Sequence, residues 1–236
     1  MKDLHAVRFW LIGLWLGAVA SAVACADAPV AGTAWPDSFA VRVEALALLQ
    51  TLNADLLSND SATATLERWC DLHKLAPTPR IVAVQVHGEP KTPTDAQRVA
   101  LRVAPTEPVR YRHVRLVCGS LVLSEADNWY VPARLTAQMN HLLETTDTPF
   151  GAIVHELHFQ RHTLSARLLW EPLPPGWEMN STAEEYGSGK LLVPAEVLEH
   201  RAVLSLPDGT PFSEVVETYT GNVLAFPAPQ EPTEKR

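Results

Sequence analysis

Residues 154–162 read VHELHFQRH, which sets His155, His158 and His162 beside Glu156 in one short run. Imidazoles and a carboxylate so close together are the groups that hold zinc and activate its water. A zinc-protease helix needs H-E-x-x-H, so that both histidines share a face one turn apart with the glutamate beside them. Here the order is H-E-L-H. His158 and His162 have the i, i+4 spacing, but no acidic residue lies between them, and nothing nominates a third ligand or its support. The reading is therefore no metal site, but the end of a short helix giving way to a strand. A serine hydrolase is no better supported, because G-x-S-x-G is absent. GSGK at 187–190 lacks the first glycine of a phosphate loop.

Three other features converge. DSAT, residues 60–63, and DTPFG, residues 147–151, each carry the signature of a helix start. Helix starts leave backbone N–H groups free, and such groups receive carboxylates. The third feature is RYRHVRL, residues 110–116, in which Arg110, Arg112, Val114 and Leu116 share one strand face. An arginine among apolar neighbours is costly unless paired, so Arg112 implies an anionic partner or a structural ion pair.

The elements that must position these groups follow from periodicity. Leu46, Leu49, Leu52 and Leu56 give 43–57 one apolar helical face, and a second helix is expected over 64–72. RIVAVQVHG alternates with period two and reads as a strand. QRVALRVAP, VRYRHVRLVCG and LVLSEADNWYV read as three more. Pro132 is expected to open a helix bearing Leu135, Met139, Leu142 and Leu143, and a short helix should follow TDTPFG. Near the end, EHRAVLSL, the turn PDGT and PFSEVVETYTGNVL form a hairpin. Helices and hairpin strands in this order predict an α+β domain with an antiparallel sheet. The chain has 236 residues, 47% hydrophobic and 19% charged, enough for one domain with a sizeable core. A net charge of −8 with no lysine/arginine cluster argues against a nucleic-acid surface.

Residues 1–26 differ in kind. Lys2 and Arg8 precede the apolar run FWLIGLWLGAVASAVA, and Ala24-Cys25-Ala26 fits a small-residue cleavage site. This predicts a secretory signal over 1–26 and an exported, periplasmic protein. A lipoprotein anchored through Cys25 ranks second, and a membrane anchor is disfavoured because the run is short for a span. Residues 27–40 read as a linker, 41–226 as the domain, and 227–236 as a polar, proline-rich disordered tail. Cys70 and Cys118 either pair, as an oxidising compartment permits, or lie as two buried thiols.

The order of motifs resembles the chorismate lyase family and its wider superfamily. YRHVRLVCG, SEADNWYVP, a helix and TDTPFG follow the family's R-x-V-x-L, A-x-x-x-x-x-P, helix, T-P-[LF]-G. DSAT matches its DS-x-T, and DGTPFSEVVETY its G-x-P followed by a strand bearing a catalytic glutamate. The likeness spans about residues 45–224. It implies a single antiparallel β-sheet with helices packed on one side, a buried site under helical flaps, and no cofactor. The implied reaction eliminates pyruvate from chorismate, or a related enolpyruvyl compound, to give 4-hydroxybenzoate. By motif match Arg112 grips the ring carboxylate, assisted by backbone near Ala62, Phe150 and Gly151. Glu217 stands at the departing ether oxygen, where a carboxylic acid can steer a proton. Spacing back from Cys118 would substitute His113 for Arg112, but strand parity favours Arg112. Glu214 competes with Glu217, and V-E-T-Y favours Glu217. The alternative function is a non-catalytic extracytoplasmic binding protein for a small aromatic carboxylate, because the family's substrate is made in the cytoplasm. A structural domain without a pocket is the third. In each case the expected protein is a monomer with neither nucleic acid nor metal as partner.

Overall fold

Ser38 and Ser61 open the first two helices in the same way. Each has extended backbone, and each side-chain oxygen accepts from the N–H three residues on, at Val41 and Ala64. The helices are α1 (Phe39–Leu57) and α2 (Ala62–Leu72). The computed structural model describes residues 35–179 and 189–228. The expected signal at 1–26, the first part of the expected linker, residues 187 and 188 of GSGK and nearly all of the expected tail lie outside them. Strand β1 (Ile81–Gln85), helix α3 (Asp95–Ala100), and strands β2 (Arg110–Cys118) and β3 (Leu121–Tyr130) follow. Then come α4 (Ala137–Thr145), the single turn α5 (Phe150–Ile153), and strands β4 (Gln160–Leu168), β5 (Glu196–Ser205) and β6 (Pro211–Thr220).

The six strands form one antiparallel sheet in the order β1-β2-β3-β6-β5-β4. Registers fix which side chains share a face. Arg112 pairs with Asn128, Val114 with Ala126, Ala126 with Glu217, and Glu217 with His200. These residues therefore point to one side, together with Ile81, Ala83 and Gln85 of β1. Leu49, Leu52 and Leu56 of α1 and Leu66 and Trp69 of α2 bury against that side in the main core. A second cluster joins Met139 and Leu143 of α4 to Tyr130, Phe150 and Phe212. A disulfide between Cys70 and Cys118 ties α2 to β2. Trp35 is buried, and its indole N–H donates to the Phe226 carbonyl, so packing begins inside the interval read as a linker.

The α+β reading with one antiparallel sheet describes this architecture, with two corrections from packing. QRVALRVAP is not a strand. Its first residues complete α3, where Thr94 and Gln97 make a reciprocal capping box and the helix overrides the alternation. That helix and the chain after it cover the opposite side of the sheet, where Leu101, Val103 and Val109 pack on Tyr111, Trp129, Val131 and Val216. The helices are therefore not confined to one side. Pro132 opens one 3-10 turn, and α4 starts later, at the cap Thr136.

Candidate functional site

Arg112 projects from the middle of β2 into the space under α2, α4 and α5 and is only 6% exposed. Among the described residues it forms no ion pair with a carboxylate, although the exposed Asp147 lies near enough to favour the guanidinium charge. The Arg112 Nε donates to the Leu143 carbonyl, and Nη2 donates to the carbonyls of Thr146 and Thr148, each at 3.1 Å. Leu143 lies in the last turn of α4, where the helix dipole leaves partial negative charge that suits a cation. Gln85 donates to two of the same carbonyls, Leu143 at 3.1 Å and Thr146 at 3.0 Å. Nη1 of Arg112 is buried with no hydrogen-bond partner among the described residues. Burial pushes the Arg112 pKa below its ordinary value.

Glu217 lies two strands away and two residues along, about 12 Å from Arg112 between Cα atoms by strand spacing. Its Oε2 accepts from Arg161 Nη2 at 2.6 Å and from the Tyr219 hydroxyl at 3.1 Å. Burial works against the Arg161 charge, but Glu217, Tyr219 and Asp60 together outweigh it and raise the Arg161 pKa. Burial also drives the Tyr219 phenol well above its usual range, with Glu217 adding to the effect. Arg161 Nε has no partner among the described residues.

Between these ends lies a small, partly open cavity. Val114, Leu116, Ala126 and Val215 line its sheet side, and Phe150, Phe159 and Leu204 also line it. The starts of α2 and α5 meet at its rim, with Ser61, Ala62 and Thr63 facing Phe150 and Gly151. A methyl placed on Gly151 would lie 3.6 Å from the Ser61 hydroxyl. Of the buried charges, Glu217 offsets Arg161, while Arg112 forms no ion pair among the described residues and feels only the exposed Asp147 carboxylate nearby; Asp60 adds a further carboxylate at the cavity wall.

The structure brings Arg112, Glu217, Ala62, Phe150 and Gly151 around this one cavity. The two competing residues face away from it. His113 meets Glu125 on the other side of the sheet. Glu214 is fully buried there and pairs with Arg201. Sequence reasoning did not single out Asn128, Phe159, Arg161 or Gln85. Asn128 could have been found, since it places an amide in the inward-facing series Ser124, Ala126, Asn128, Tyr130. Arg161 is turned inward by β4, which the histidine run leads into. His155, Glu156 and His158 line an outer groove beyond the Ser61–Gly151 rim. His158 takes a left-handed backbone conformation (φ 49°) as the 3-10 turn His155–Leu157 ends, and β4 begins at Gln160. Among the described residues no group of three potential metal ligands forms.

The fold and site define a single-sheet α+β protein with, among the described residues, a partly open cavity lined by two arginines and bordered by two helix starts. No family model matches the chain. It is 60% identical over 196 residues to the protein described as uncharacterized protein y4mC of Sinorhizobium fredii, covering 83% of each, and it belongs to that protein's family. Solved structures that match include the effector domain of PhnF from Mycobacterium smegmatis, with TM-score 0.44 and 13% identity over 73% of this chain and 96% of that one. A GntR-family transcriptional regulator from Enterococcus faecalis matches with TM-score 0.39 and 14% identity, over 64% and 99%. YydK from Bacillus subtilis matches with TM-score 0.37 and 14% identity; the chain spans 62% of its length and 64% of this chain is covered.

These matches correct the earlier expectations. The matched structures are regulators and effector domains instead of chorismate lyases, so membership of the chorismate lyase family and a chorismate lyase-like fold are withdrawn. The elimination of pyruvate to give 4-hydroxybenzoate falls with the resemblance that implied it, and so do the lyase roles assigned to Arg112 and Glu217. Glu217 is in any case engaged by Arg161 and Tyr219. The exported, periplasmic placement, with its extracytoplasmic binding protein and its alternative anchor at Cys25, is withdrawn on the same matches. No described helix is long and apolar enough to cross a membrane.

Proposed function

We propose that this protein is a small-molecule-binding domain whose cavity takes a compact monoanion, specifically a small aromatic carboxylate. One observation carries the reading: among the described residues Arg112 is buried in the cavity wall with no ion-pair partner, only the exposed Asp147 charge nearby, and with Nη1 unsatisfied. A buried polar donor without a partner is costly, and a cationic one more so. A ligand carboxylate supplies both the acceptor and the charge. Phe150 and Phe159 offer ring faces and edges to a flat apolar body. The N–H groups of Ala62, Thr63, Phe150 and Gly151 lack partners among the described residues and lie at the same rim. Nothing in this reading requires the ligand to react. The binding unit is the folded domain that begins with the buried Trp35 and includes Phe226.

Calorimetry with benzoate and 4-hydroxybenzoate tests it. The protein binds at least one, and Arg112→Met weakens that binding by at least tenfold while the fold is retained by circular dichroism. Absence of heat for both acids up to their solubility, or an Arg112→Met variant that binds as wild type does, sinks the reading.

A further inference from the structure

We infer that Asn128 is the second donor of the anion site, and that with Arg112 it selects a carboxylate over its neutral carboxamide. This deepens the proposed binding function and rests on it. Asn128 is the direct partner of Arg112 across the β2–β3 ladder, so their side chains leave the same face about 5 Å apart at Cβ. Both line the cavity, and Asn128 is only 5% exposed. The Asn128 Oδ1 accepts a 2.6 Å hydrogen bond from the Ser213 hydroxyl, which is itself fully buried. That bond uses the acceptor end of the amide and leaves Nδ2 as the end without a partner among the described residues. Val215, on the other side of Asn128 across β3–β6, is apolar and offers no acceptor. The two groups left over are therefore both donors, one cationic at Arg112 Nη1 and one neutral at Asn128 Nδ2.

A carboxylate has two acceptor oxygens about as far apart as two adjacent donors can serve, so one planar anion satisfies both. A carboxamide has one acceptor and one NH₂ group. Whichever way it turns, its NH₂ meets a donor, and a site built to hydrogen-bond one group rejects the near-isostere that leaves its donors unpaired. Ser213 is then a positioning residue, because it holds the amide in the orientation that presents Nδ2.

Asn128→Asp reverses one of the two donors with almost no change of shape and can still accept from Ser213. The test is calorimetry of wild type, Asn128→Asp and Asn128→Ala with benzoate and benzamide, alongside thermal melts without ligand. Wild type is expected to bind benzoate and to discriminate against benzamide by at least 100-fold. Asn128→Ala should weaken benzoate about tenfold. Asn128→Asp should lose benzoate by at least 100-fold, narrow the gap to benzamide, and melt at a higher temperature than wild type, because its carboxylate supplies the buried Arg112 with an internal partner. If wild type binds benzoate and both Asn128 variants bind it equally well, this inference falls while the proposed function stands. If Arg112→Met also leaves binding intact, or wild type binds neither benzoate nor 4-hydroxybenzoate, both fall; if wild type binds 4-hydroxybenzoate but not benzoate, this inference falls while the proposed function stands.

Discussion

Gln85 and Arg112 donate to the same two backbone oxygens, the carbonyls of Leu143 and Thr146. Each carbonyl has two lone pairs, so both donors are served at once. The arrangement lets the end of α4 carry a buried cation without a carboxylate, and it fixes the guanidinium plane. Gln85→Leu keeps an apolar-compatible volume but removes two of the bonds that hold this helix end to β1. The expected loss is about 1–2 kcal/mol of stability in urea unfolding, with benzoate binding weakened several-fold. Unchanged stability and affinity would mean that Arg112 alone holds the α4 end in place.

The Arg161–Glu217 pair is the other buried charge system, with both side chains almost wholly shielded. Removing one partner leaves the other charge buried and uncompensated, which costs about 3 kcal/mol or more. Glu217→Gln is expected to destabilise the protein by that order. The double replacement Arg161→Met with Glu217→Leu is expected to recover most of the loss, because it removes both desolvation penalties together. A double variant no more stable than Glu217→Gln would show that the pair holds more than itself in place.

Much of this site was readable because strands alternate. Parity alone put Arg112 with Val114 and Leu116, and His113 on the other face, and the registers agree. DSAT marks the start of α2 through the serine that caps it, whereas the expected start of α4 falls at Pro132 and misses the capping Thr136. What parity could not give was partner choice. Glu217 and Glu214 fall on opposite faces of β6, but only the packing of Arg161 against one and Arg201 against the other shows which partner each takes. Alternation also misled: in QRVALRVAP it outweighed the T-x-x-Q box at Thr94 and Gln97, which is the stronger local signal for a helix. The irregularity between Thr163 and Ser165 is invisible in a list of residues, although it shifts the later part of β4 against its neighbour. The lyase resemblance rested on short motifs, each open to a structural reading. Helix starts over a sheet and an inward arginine are features that a binding domain needs as much as an enzyme does.

The Cys70–Cys118 bridge closes a loop of 48 residues between α2 and β2. Chain entropy assigns such a loop about 4 kcal/mol as an upper bound, with 2–4 kcal/mol typical. Both sulfurs are buried in the main core. The double variant Cys70→Ala with Cys118→Ala is expected to lose about 2–4 kcal/mol in denaturant unfolding. Because α2 also carries Ala62 at the cavity rim, the same variant should bind benzoate less tightly. Wild type unfolded with and without a reductant gives the control, and equal midpoints in the two conditions would contradict the prediction.

His200 supplies the pH dependence. It is 0% exposed beneath α1, with Nε2 at 2.8 Å from the Asn53 side-chain oxygen and Nδ1 without a partner among the described residues. Burial lowers its pKa from 6.5 to about 4; Glu217 opposes the shift and Arg161 adds to it. The folded state therefore keeps His200 neutral where the unfolded chain already takes up a proton. Its contribution is fully present above about pH 6.5 and is lost as pH falls toward 4, below which both states are protonated. His200→Gln keeps a donor for Asn53 and removes the titration. Measured as unfolding free energy from pH 7.5 to 4, wild type should lose stability more steeply than His200→Gln, and the difference should arise between pH 6.5 and 4. Parallel curves for the two proteins across that interval would show that the imidazole is protonated without penalty in the folded state.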